Sequence, residues 1–179
     1  MFRIFSQLIV VLAFFLLGKT FAQHQHQHEH SPYAGQEKHE IKSLTPAELE
    51  SYLSGQGMGF AKAAELNHYP GPRHVLEMAD KLQLTTEQKG KIQGIYERMN
   101  KQAVEYGKLI VTQEQALDQL FASQKISRKE MEKAISEIAV VEGKLRLVHR
   151  QAHLETKQVL TEKQVRMYDE MRGYGEGME

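Results

Sequence analysis

Residues 84–164 read LTTEQKGKIQGIYERMNKQAVEYGKLIVTQEQALDQLFASQKISRKEMEKAISEIAVVEGKLRLVHRQAHLETKQVLTEKQ. This stretch holds no proline; Pro32, Pro46, Pro70 and Pro72 all lie before it. An interior proline would cost a helix ~3 kcal/mol, so its absence permits long ones. Thr85-Thr86-Glu87-Gln88 is a capping box that opens a helix to near Ala122. Ser127-Arg128-Lys129-Glu130 is another, stapled by Ile126 and Met131, and opens a helix to near Val159. Thr161-Glu162-Lys163-Gln164, stapled by Leu160 and Val165, opens a last helix to near Arg172. Both long helices carry a seam spaced alternately three and four residues. The first runs Ile92, Ile95, Met99, Gln102, Tyr106, Leu109, Gln113, Ala116, Leu120; the second Met131, Ile135, Ile138, Glu142, Leu145, His149, Ala152, Thr156, Val159. Such seams pack helix on helix, and the short link at 123–126 makes the pair an antiparallel hairpin. The fold class is therefore all-α: a long hairpin with short flanking helices. Apolar residues outside the seams, among them Val104, Ile110, Phe121, Val140 and Val141, exceed what one partner helix can cover. A second copy or a bound client would cover them. Gly90, Gly94, Gly107 and Gly143 sit inside the long helices, where each costs ~1 kcal/mol relative to alanine. They allow either a close backbone approach or a bend.

Upstream, Thr45-Pro46-Ala47-Glu48 is a fourth capping box, with proline at the first helical position and Leu44 and Leu49 as its staple. That helix stops near Gly55. A short helix is expected over Met58 to Leu66, and Pro72 opens one through about Leu82, so residues 44–71 form short N-terminal helices ahead of the helical domain at 72–172. Residues 23–43, with His24, His26, His28 and His30 alternating with polar residues, read as a disordered tail, and 173–179 as a flexible glycine-rich one. Residues 1–22 have the layout of a secretory signal peptide: Arg3, an apolar run from Leu8 to Leu17, then Thr20-Phe21-Ala22 as a small-x-small cleavage site. The run is shorter than the ~20 residues a membrane span needs. Lys19 interrupts it, which argues against an uncleaved anchor. Cleavage predicts an extracytoplasmic location, the periplasm in a bacterium.

Composition narrows the function. Lys+Arg and Asp+Glu are both 23, leaving no basic excess for nucleic acid. The chain has no cysteine, which excludes a disulfide framework, a thiolate nucleophile and a lipoprotein anchor. No nucleophile elbow, phosphate loop or His-Glu-x-x-His motif occurs, so no enzyme is expected.

Leu84-Thr85-Thr86-Glu87-Gln88 and Leu160-Thr161-Glu162-Lys163-Gln164 both fit Leu-Thr-x-x-Gln. Two such motifs flanking a helical hairpin, behind a signal peptide and without cysteine, resemble the periplasmic Spy/CpxP family, which includes metal sensors of the CnrX type and zinc-resistance-associated proteins. The resemblance covers residues 72–172. It implies a curved four-helix protein, often a cradle-shaped homodimer, acting as an ATP-independent chaperone for unfolded or misfolded envelope proteins, as a restraint on a membrane sensor protein, or as a metal-responsive sensor. Leu84, Thr85, Gln88, Leu160, Thr161 and Gln164 are structural in this reading: they cap helices. The family's metal branch places a His-x-x-x-Met pair where this sequence has Ala152 and Thr156.

The sharpest local signal for chemistry is His149 and His153. Spacing of four puts them on one helix face, at ~0° and ~40° from Met131, with Glu142 at ~20°. Two histidines in a packing seam need partners, since an unpaired polar group there is costly. They fit a metal site, with Glu97, Met99, His74 and Glu77 as further candidate ligands. They also fit, and more simply, hydrogen bonds to Glu97 or Glu105 in a seam open to water. His24, His26, His28 and His30 fit either loose metal capture or an inert linker. No cofactor is required; zinc, copper, nickel or cobalt are the candidate ions.

Overall fold

The computed structural model describes residues 31–174. The expected signal peptide at 1–22, the tract His24, His26, His28 and His30, and most of the glycine-rich tail lie outside the described residues. Among the described residues every regular element is a helix, with no strand. Residues 31–34 form a turn closed by the Ala34 N–H on the Ser31 carbonyl (2.9 Å) and belong to a separate unit. The body from Gly35 onward holds α1 (Pro46–Ser54), α2 (Lys62–Glu65), α3 (Pro72–Glu77), α4 (Thr86–Ala122), α5 (Arg128–Val159) and α6 (Glu162–Arg172).

All four capping boxes form, at Thr45, Thr85, Ser127 and Thr161. They start α1, α4, α5 and α6 at the expected residues because in each the hydroxyl accepts a helix N–H and the third helical residue reaches back to the cap backbone. Two shorter elements differ from expectation. Residues 58–61 are not helical: Met58 (φ 42°) and Gly59 (φ 75°) are left-handed, so α2 starts only at Lys62. Past Glu77 the chain continues as turns to Leu82, and Gln83 (φ 52°) with the Leu84 N–H bonded to the Ala79 carbonyl (3.0 Å) swings it into the Thr85 cap. The expected tail at 23–43 also gives way before its end. A 3-10 turn forms at Gln36–Lys38, Ile41 is buried, and Lys42 and Ser43 reach Asp118 (3.0 Å) and Glu114 (2.7 Å) on α4.

α4 and α5 form the antiparallel hairpin, and α1 packs on α4. Three apolar clusters run along it. At its base Val75, Leu82, Leu84, Ile92, Leu160, Val165 and Tyr168 enclose the two Leu-Thr-x-x-Gln motifs. Ile95, Met99 and Ala152 fill the middle. Further out, Tyr52 of α1 joins Ala103, Ile110, Val141 and Leu145. The seam holds at Ile92, Ile95 and Met99 but then shifts to Ala103, Gly107 and Ile110; Gln102 and Leu109 are exposed. In α5 Ile138, Leu145, His149, Ala152 and Thr156 are buried as expected, and Val141 joins them, while Ile135 is exposed. The shift has a cause: α1 lies across α4 at Gly107 and claims part of that face.

Candidate functional site

α5 carries two different surfaces. Its inward stripe, Leu145, His149, Ala152 and Thr156, packs toward α4. Thr156 hides its hydroxyl on the Ala152 carbonyl (2.7 Å), a local bond that suits a dry helix face. His149 is only 3% exposed, its ring centroid 5.7 Å from that of Phe60, and its Nε2 is buried with no hydrogen-bond partner. Burial, with a smaller contribution from His153, pushes its pKa down to about 4, so it is neutral at pH 7.

His153, one turn on, is tied differently. Its Nδ1 lies 2.7 Å from the Tyr69 carbonyl and 3.5 Å from Glu65 Oε2. Burial holds its pKa below the ordinary imidazole value, against the Tyr69 bond and Glu65. A neutral ring facing a carbonyl at that distance carries its proton on Nδ1, which leaves Nε2 as a lone pair. Gly71 makes room for that edge: a Cβ there would sit 2.9 Å from His153 Nε2 and Cε1.

His149 and His153 line one cavity of about 170 Å³ between the hairpin and the Gly71–His74 segment, together with His74, Tyr96, Met99 and Asn100. His74 reaches it from α3, as the sequence suggested, with its Nδ1 2.8 Å from Glu77 Oε2. That bond is the main cause of the lowered Glu77 pKa. Glu97 is not there. It lies on the exposed side of α4 and accepts from Gln93 Nε2 (2.8 Å), because two residues before Met99 is nearly the opposite face of a helix. Glu105 is likewise exposed. Neither carboxylate serves the histidines; the partners of His153 are Tyr69 and Glu65. Among the described residues no group of three or more His, Asp or Glu side chains is placed to hold a metal ion.

Glu65 carried no signal in its spacing. Its carboxylate accepts from the Tyr168 hydroxyl (2.5 Å) and faces Arg172 Nε (3.4 Å), tying α2 to α6 beside His153. Burial foremost, then this bond, raises the Tyr168 pKa. The Tyr69-Pro70-Gly71-Pro72 turn was the available signal, since so rigid a turn fixes where the Tyr69 carbonyl points.

The outward face of α5 is of another kind. Val140, Leu147 and Leu154 are 58%, 62% and 48% exposed and follow one another at seven-residue intervals. That interval returns to nearly the same side of a helix, so the three form a single apolar line. Gly143, Lys144, Arg150 and Gln151 interleave it. Phe121 and Ile135, on either side of the hairpin link, are half exposed as well.

The Leu-Thr-x-x-Gln residues do what the sequence assigned, and one thing more. Gln88 and Gln164 each close their own cap, and their side-chain amides also bond each other reciprocally (2.9 and 3.1 Å). Gln88 Nε2 further donates to the Val159 carbonyl (3.0 Å) and Gln164 Nε2 to that of Leu82 (3.2 Å). No protein-family model, curated protein or solved structure matches the chain.

Proposed function

We propose that this protein is an ATP-independent chaperone or envelope-stress protein of the Spy/CpxP type, working outside the cytoplasm and holding unfolded chains on the outer face of α5. The observation that carries the reading is the exposed line Val140, Leu147, Leu154. An apolar line on a rigid helix, interleaved with lysine, arginine and glutamine, offers an unfolded segment hydrophobic contact without a shaped pocket. Each side chain is already about half covered, so covering the rest is worth about 1 kcal/mol, roughly half of a full burial. Three give weak, sequence-tolerant binding after the cost of ordering the client is subtracted. Release then needs no nucleotide.

The test is suppression of aggregation of a chemically unfolded client, without ATP, by the wild type and by a Val140→Ser, Leu147→Ser, Leu154→Ser variant. The wild type is expected to suppress at near-equimolar ratio and the variant to lose most of that effect while keeping its helical circular dichroism. No suppression by the wild type at several-fold molar excess, or equal suppression by the variant, overturns the reading.

A further inference from the structure

The histidine cavity lies away from the outer line of α5 and asks for its own explanation. Each of its two inner imidazoles leaves its Nε2 outside the hydrogen bonds of the fold. His153 spends its Nδ1–H on the Tyr69 carbonyl (2.7 Å), the arrangement by which metal-ligating histidines are oriented. His149 leaves Nε2 buried and unbonded, and an unsatisfied polar atom in such a place costs ~1–3 kcal/mol. The third group at the wall that matters is Met99, whose thioether is a soft donor. Gly71 is required for the His153 edge to face this space at all. Zinc is poorly served, because it wants four nitrogen, oxygen or thiolate ligands, and among the described residues no three histidine or carboxylate side chains are placed to hold one ion together. Two neutral imidazoles and a thioether instead suit a soft, monovalent ion content with few ligands.

We propose that the cavity beside the Tyr69–Pro72 turn binds a single cuprous ion through His149 Nε2, His153 Nε2 and the Met99 sulfur. The ion would satisfy the orphaned nitrogen and cross-link α5 to α4. His74 stands at the cavity mouth with its Nδ1 held by Glu77 (2.8 Å), so its Nε2 is free to meet an arriving ion. This site is independent of the proposed chaperone surface, which faces the other way on α5.

The experiment is competition for Cu(I) against bicinchoninate under ascorbate. The protein would carry His24→Gln, His26→Gln, His28→Gln and His30→Gln, so that the tract is silent. One equivalent of Cu(I) is expected to leave the chelator, and X-ray absorption at the copper edge should show one sulfur and two nitrogen ligands. Met99→Leu nearly conserves volume. It should keep the circular dichroism spectrum, lose the sulfur ligand and bind at least tenfold more weakly. His153→Gln should abolish stoichiometric binding. The proposal is overturned if no copper is withdrawn, as it would be if the cavity simply holds ordered water. It is equally overturned if binding is unchanged in Met99→Leu, or if Zn(II) is held as tightly as Cu(I).

Discussion

Gly107 and Gly143 sit in comparable helices, and the sequence offers no means of telling them apart. A Cβ on Gly107 would lie 2.0 Å from the Tyr52 carbonyl oxygen, whereas one on Gly143 would meet nothing within 4 Å. Gly107 is thus where α1 touches the α4 backbone, and Gly143 is a helix position carrying glycine's entropy cost alone. Gly143→Ala is expected to stabilise the fold by up to ~1 kcal/mol in urea melts. Gly107→Ala should destabilise by about 2 kcal/mol, because separating packed backbones outweighs the propensity gained. His149 supplies a second residue-scale prediction. Its folded pKa, about 4, lies below the unfolded ~6.5, so the unfolded chain takes up the proton first. Its contribution to stability is complete above pH 6.5, declines as pH falls, and stops changing below about pH 4. The loss at pH 5 is about 2 kcal/mol. Comparing urea midpoints at pH 7 and pH 5 for wild type and His149→Leu checks it: the variant should lose less. That these histidines were on an inward face was legible from spacing; that Tyr69 and Glu65, rather than Glu97 or Glu105, meet His153 was not, because those partners arrive from a turn and a short helix far away in sequence.

At the scale of elements, start signals proved more legible than stop signals. A capping box is a contact within four residues, so Thr45, Thr85, Ser127 and Thr161 could be read directly. α3 stops at Glu77 with no glycine or proline after it, and the left-handed Gln83 that ends the following turns is a conformation few residues announce. The seams were legible as far as Met99, where one helix faces one partner. Beyond it α4 is shared between α5 and α1, and a two-helix spacing no longer describes the burial of Ala103 and Ile110. The amide pair Gln88–Gln164 joins elements in the same way and was invisible for the same reason. It makes the two motifs unequal to ordinary caps. Gln164→Glu can still cap α6, but it loses the donor to the Leu82 carbonyl and to Gln88. We expect a loss of about 2–3 kcal/mol, the upper part of the ~1–3 kcal/mol for leaving a buried partner unsatisfied. Ser127→Ala, at an exposed cap, should lose only about 1 kcal/mol. Thermal or urea unfolding of both variants decides; equal losses would mean that the glutamine pair adds nothing to its caps.

For the molecule as a whole, the apolar surplus seen in the sequence was in part illusory. Ile110 and Val141 are buried against α1 and the hairpin interior, while Phe121, Ile135 and the outer line Val140, Leu147 and Leu154 remain uncovered. The outer line sets what self-association through that face of α5 can achieve. Pairing this line with its copy covers six side chains that are already about half covered, so each adds about 1 kcal/mol, roughly half of a full burial, or about 6 kcal/mol in all, against ~4–15 kcal/mol for lost freedom of the two bodies. The difference corresponds to a weak, concentration-dependent dimer rather than an obligate one. Light scattering is expected to show dimer at tens of micromolar and monomer on dilution. Leu147→Glu should hold the chain monomeric throughout, since a charge repeated at the centre of a symmetric contact meets itself. If copy and client compete for one line, dilution of the wild type should raise the suppression of aggregation per chain. A dimer that survives both dilution and Leu147→Glu would place self-association on another face and leave the outer line of α5 to clients alone.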